Sequence, residues 1–235
     1  MRTKTTLLGA AILAAGALSS MAQSNVYSLN VVGYINRTMP GGGQYSLVAN
    51  QLDTGNNVFS NLLQTLPVGT KVLKWTGSGY TTAQRVAFGN GWSPATNAVN
   101  TLNPGEAAFI QSPVASPGIT NTFVGNVPGL AATGGTNPVY TVTFTNTFPA
   151  SYWLAGDNEP QAATATAIGL TAAIPAAPSG SQVLLFNEGT QGYSVFTRVG
   201  FGVGWSPSVP SLNVGQGFFF NTKGPGSWTN TFNVN

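Results

Sequence analysis

Short runs rich in apolar, aromatic and β-branched side chains recur along this chain, each bounded by Gly, Pro or Asn. Residues 45–50 (YSLVAN), 71–75 (KVLKW), 79–88 (GYTTAQRVAF), 106–111 (EAAFIQ) and 120–127 (TNTFVGNV) read as strands by that pattern. One segment reads differently. In NNVFSNLLQTL (56–66), Val58, Leu62 and Leu66 lie four apart with Phe59 and Leu63 beside them, a spacing that predicts a short amphipathic helix. The Ala-rich counterpart ATATAIGLTAAI (163–174) predicts a weaker one. The fold class is therefore all-β, with one or two short helices.

The strand pattern is written twice. PVGTKVLKW (67–75) matches PSGSQVLLF (178–186), and GYTTAQRVAFGNGWSP (79–94) aligns without a gap to GYSVFTRVGFGVGWSP (192–207). LNPGEAAFI (102–110) matches LNVGQGFFF (212–220), and YSLVAN (45–50) after TMP matches YWLAGD (152–157) after TFP. Matches in the same order make a tandem duplication, and two copies are fewer than a solenoid needs. The expected organisation is two homologous sandwich-like or barrel-like β modules, 33–127 and 138–235, joined by a Pro/Gly/Thr linker at 128–137.

The first 22 residues stand apart. A basic MRTK start, an apolar TLLGAAILAAGAL run and the small residues Ser20 and Ala22 form a secretory signal with mature protein beginning at Gln23. Arg2 and Lys4 leave with it, so six of the eight basic residues face five acidic ones, a net charge of about +1. No basic stripe offers itself to nucleic acid, and no second hydrophobic stretch predicts a membrane span. Cysteine is absent, so the exported chain is expected to rely on its core without disulfides. The expected location is outside the inner membrane: secreted, at the cell surface or in the periplasm.

Residues 23–32 extend beyond the repeated blocks. Val26, Tyr27, Leu29 and Val31 belong to an alternating segment, a ready strand that can complete its own sheet or add to a neighbouring subunit's edge.

Histidine and cysteine do not occur, which removes the usual triads, dyads and zinc sites. The carboxylates are Asp53, Glu106, Asp157, Glu159 and Glu188, and Glu106 becomes Gln216 in the second copy. No catalytic residue and no cofactor is assigned, and the chain is not expected to be an enzyme. Calcium is the one metal for which oxygen ligands are offered, in the loops around Asp53 and Asp157.

The best-preserved block holds the ligand candidates. Period two places Tyr80, Val86 and Phe88 on one face and Arg85 on the other, and in the repeat sets Tyr193, Val195, Val199 and Phe201 opposite Arg198. The tyrosine face is expected to be core, and the Arg face partly exposed or paired. Trp92 and Trp205 follow glycine turns. As lids they would close each core; as platforms they would stack sugar rings beside Tyr80, Tyr193, Arg85 and Arg198. The lid is the favoured reading.

NVVGYINRTMP after a signal peptide, SLVANQLDTGNN, the GWSP turns, the GEAAFIQ and GQGFFFN strands and the SWTNTFNVN ending resemble an uncharacterised bacterial family of secreted two-repeat β proteins. That resemblance implies secretion and a duplicated fold, and it transfers no active site. Such proteins often carry Gly-Glu in both aromatic strands, whereas this chain has Gly215-Gln216 in the second. The expected function is a structural or adhesive surface protein that self-associates or contacts other surface proteins, including fibre formation through the N-terminal strand. The alternative is an extracellular polysaccharide-binding protein using Trp and Tyr platforms.

Overall fold

A computed structural model describes residues 32–95, 100–128, 140–170, 178–200 and 204–234. The assembly strand Val26, Tyr27, Leu29 and Val31, most of the 128–137 linker and Phe201 lie outside the described residues. Module one contributes β1 (Val32–Met39), β2 (Tyr45–Ala49), α1 (Phe59–Leu62), β3 (Lys71–Trp75), β4 (Tyr80–Arg85), β5 (Trp92–Ser93), β6 (Ala107–Gln111) and β7 (Ile119–Asn126). Module two contributes β8 (Tyr140–Phe148), β9 (Ser151–Gly156), β10 (Ala163–Thr164), β11 (Gln182–Asn187), β12 (Gly192–Arg198) and β13 (Trp205–Ser206). It ends with β14 (Ser211–Leu212), β15 (Gly217–Thr222) and β16 (Gly226–Val234).

The duplication holds in topology. One antiparallel sheet runs β2-β6-β3-β4-β5, and the other repeats that order as β9-β15-β11-β12-β13. Each module adds a two-stranded ribbon, β1 with β7 and β8 with β16. The helical reading was half right. Phe59, Leu62, Leu63 and Leu66 are buried as the spacing required, but only one turn of α-helix forms before the chain loosens. Its counterpart opens as β10, paired to β14, and continues as turns through Leu170. Alanine and glycine there supply too little apolar surface to nucleate a helix that tertiary packing would hold.

Strand alternation sorts side chains into three cores. Val48, Val72, Ala83, Ala108 and Ile110 face the first ribbon and α1, meeting Ile35, Phe123 and Phe59. Ala155, Val183, Phe218 and Phe220 face the second ribbon, meeting Phe148 and Trp228. The opposite faces of the two sheets meet each other through Leu47, Ala49, Ala107 and Phe109 on one side and Leu154, Phe186 and Phe219 on the other. The layers are ribbon, sheet, sheet, ribbon. The central strands AAFI and GFFF are thus buried on both faces, which explains why they read as continuous apolar runs.

Contacts between the sheets come in reciprocal pairs, as at a two-fold interface. The Ala49 amide donates to the Gly215 carbonyl at 2.9 Å, and the Gly156 amide donates to the Gly105 carbonyl at 2.9 Å. Residue also meets its own repeat. A Cβ on Gly156 would lie 2.3 Å from the Ala49 Cβ, and one on Gly217 would lie 2.7 Å from the Ala107 Cβ. Only glycine fits opposite those alanines. At the rim, Arg37 of β1 pairs with Glu188 of module two; burial pushes the Glu188 carboxyl up in pKa, against the downward pull of Arg37.

Candidate functional site

Each GWSP turn is a corner built around an arginine. Strand β4 ends at Arg85, Val86 donates to the Gly91 carbonyl at 2.9 Å, and Trp92 pairs back against Arg85 in β5. The Arg85 Nη1 donates to the Gly91 carbonyl at 2.9 Å and the Val86 carbonyl at 3.3 Å, while its guanidinium carbon lies 5.9 Å from the centre of the Trp92 ring. Gly91 has φ +84°, and a Cβ there would fall 1.7 Å from Nη1, so this position demands glycine twice over. Arg198 makes the matching bonds to Val199 and Gly204. The Ser-Pro bond is cis in both copies.

This geometry corrects several ligand candidates. Trp92 and Trp205 are each 2% exposed, so neither is a platform. Trp92 packs edge-on to Phe59 with ring centres 5.2 Å apart, a lid on the first core. Arg85 and Arg198 each commit Nη1 to two carbonyls of their own turn, with Nε buried beside it. Phe88 is 75% exposed rather than inward, because it sits at the tip of the loop beyond β4, where strand parity no longer applies. Ala83, not Tyr80, faces the module core.

Tyr80 and Tyr193 face the space between the two sheets, at 43% and 44% exposure. They stand in an aromatic seam whose contacts repeat. Trp75 meets Tyr80 at 5.1 Å, and Phe186 meets Tyr193 at 5.3 Å. Tyr80 meets Phe109 at 6.0 Å, and Tyr193 meets Phe219 at 6.1 Å. Tyr45 meets Phe109 at 6.1 Å, and Tyr152 meets Phe219 at 6.3 Å. These contacts are edge-to-face, the arrangement that aromatic quadrupoles favour.

Among the described residues, three cavities follow the seam. The largest, about 550 Å³, is walled by Tyr45, Leu73, Tyr80, Phe109, Phe186 and Tyr193, with Gln44 and Gln191 beside them. A second, about 210 Å³, shares Tyr80 and Tyr193 with it and adds Trp75, Tyr152, Leu184 and Phe219. A third, about 300 Å³, shares Trp75 and Tyr152 and ends at Lys74 and Glu106. Gln191 holds the first wall in place, accepting from the Tyr45 amide at 2.8 Å and donating to the Tyr45 carbonyl at 3.1 Å. Trp75 does the same for the second, its Nε1 donating to the Tyr152 carbonyl at 3.1 Å.

The first two cavities carry no ionised wall. Burial pushes the Tyr80 phenol up, and burial followed by the neighbouring Tyr80 pushes Tyr193 up to about 12. Both hydroxyls therefore stay neutral near pH 7 and keep a proton to donate. In the third cavity Glu106 is occupied: its Oε2 accepts from Lys74 Nζ at 3.0 Å and from the Asn103 amide at 2.7 Å. Gln216 accepts from the Asn213 amide at 3.0 Å in the repeat, so this side chain ties a turn, a task that an amide performs as well as an acid. Asp53 Oδ1 accepts from the Gly55 amide at 2.8 Å and from Asn57 Nδ2 at 2.9 Å, an Asx turn; Asp157 and Glu159 are buried. Among the described residues no three His, Cys, Asp or Glu side chains gather, and no helix is long and apolar enough to cross a membrane.

Tyr45, Trp75, Phe109, Tyr152, Phe186 and Phe219 were not singled out by sequence reasoning. Their signal was present: each aromatic recurs as an aromatic in the repeat, on strands apolar at consecutive positions. The fold and seam define a duplicated, mainly β protein with an open aromatic cleft between its two central sheets. No protein family, curated protein or solved structure matches the chain.

Proposed function

We propose that this chain is an exported, non-enzymatic adhesive protein and that its seam takes rings of a neutral carbohydrate. One observation carries the reading: half-exposed Tyr80 and Tyr193 stand over an uncharged aromatic cleft large enough for a ligand. Pyranose rings present apolar C–H faces to aromatic faces and hydroxyls to the phenols and to Gln44. An anionic or cationic ligand would find no counter-charge in the first two cavities. The test is retention of the purified mature protein on insoluble cellulose, chitin and xylan. Retention on at least one, lost in Tyr80→Ala, is expected; no retention, or retention indifferent to that change, sinks the reading.

A self-associating structural role is the second reading. It is supported by an apolar strip on the outer face of the β1/β7 ribbon, where Tyr34 is 71% exposed beside its partner Val124 and near Val32. Sedimentation of the mature protein tests it: a concentration-independent monomer rules it out.

A further inference from the structure

The two aromatic cavities are one cavity written twice. Replace each wall residue of the first by its repeat equivalent: Tyr45 becomes Tyr152, Leu73 becomes Leu184, Tyr80 becomes Tyr193, Phe109 becomes Phe219, Phe186 becomes Trp75 and Tyr193 becomes Tyr80. That set is the complete wall of the second cavity. The two differ at their margins, where Gln44 and Gln191 of the first correspond to Ser151 and Ser78. Tyr80 and Tyr193 belong to both walls, so the subsites adjoin with no protein partition beyond that tyrosine pair.

We infer that the occupant is one linear neutral glycan of repeating units, laid across the tyrosine pair with one ring in each of the two subsites. The inference rests on the carbohydrate reading above and goes beyond it. A duplicated site could take two separate small molecules, but adjoining equivalent subsites favour one chain, because the second ring then binds at high effective concentration. The absence of charge on both walls selects an uncharged polymer over an acidic one. The wider first cavity takes the bulkier or more substituted ring.

Calorimetric titration of the mature full-length protein tests this, using glucose, cellobiose, cellotetraose and cellohexaose with the N-acetylglucosamine series alongside. Affinity is expected to rise by roughly 10²-fold once a chain spans both subsites, with one chain bound per protein. Tyr80→Ala and Tyr193→Ala each damage both walls and abolish most binding. Tyr45→Ala and Tyr152→Ala each damage one, and reduce cellotetraose or its counterpart to single-ring affinity. Tyr80→Leu keeps apolar volume in the wall, so the same loss there marks the ring face rather than the fold. Binding that is flat with chain length, or a length gain that survives both Tyr45→Ala and Tyr152→Ala, overturns the two-subsite inference alone. Failure of every sugar in both series overturns the carbohydrate reading with it.

Discussion

Tyr193 is the side chain whose chemistry the cleft alters most. Burial disfavours its phenolate, and the neighbouring Tyr80 disfavours it further, raising its pKa to about 12. A raised folded-state pKa means that the stabilisation is complete below the unfolded value near 10 and is lost as pH climbs through 12. Ultraviolet titration should show a late-ionising tyrosine near pH 12, and Tyr80→Phe should move that midpoint down. Trp92 behaves oppositely, as structure without ligand chemistry. Trp92→Ala should cost about 3–5 kcal/mol by chemical denaturation, because it opens a void against Phe59. The residual folded protein should bind glycan as before. The sequence alone favoured this lid, since a tryptophan after a glycine turn closes cores. It misjudged Phe88, because nothing local marks Arg85 as the last residue of the strand.

Elements carry the next set of expectations. The turn before β6 is tied by Glu106 and the turn before β15 by Gln216 in the same manner. Glu106→Gln should therefore leave the melting temperature nearly unchanged. Glu106→Ala should cost about 1 kcal/mol, the usual worth of such a bond, and should leave Lys74 held by the Thr101 carbonyl alone. Five strand segments in module one were legible as β-rich runs between Gly, Pro and Asn and are present as β2, β3, β4, β6 and β7. The second helix that the sequence predicts is absent from the described residues, because the spacing of Ala163–Ala165 with Ile168 also suits a strand followed by turns. Period alone does not choose between them when side chains are this small.

At the scale of the molecule, the inter-sheet core makes the two modules one stability unit. Calorimetry should record a single unfolding transition, because unfolding either sheet exposes Phe109, Phe186 and Phe219 together. Gly217→Leu would drive a side chain into Ala107 and should destabilise by about 1–3 kcal/mol or more. The duplication was plain from the matched blocks, but the packing of one copy on the other was not. Alternation along residues 79–88 gives that strand one buried face and accordingly places Tyr80 in a module core. Its true surroundings come from the other copy, which a strand-by-strand pattern does not contain.

The contacts of Ala49 with Gly156 and of Ala107 with Gly217 also constrain how the gene can change. Each is a residue meeting its own repeat, with a methyl group on one side and none on the other. Recombination that made the halves identical would set Ala against Ala, where the spacing forbids it, or Gly against Gly, leaving a gap in the seam. The copies share a fold but cannot share a sequence, and their divergence at those two positions is fixed by contact.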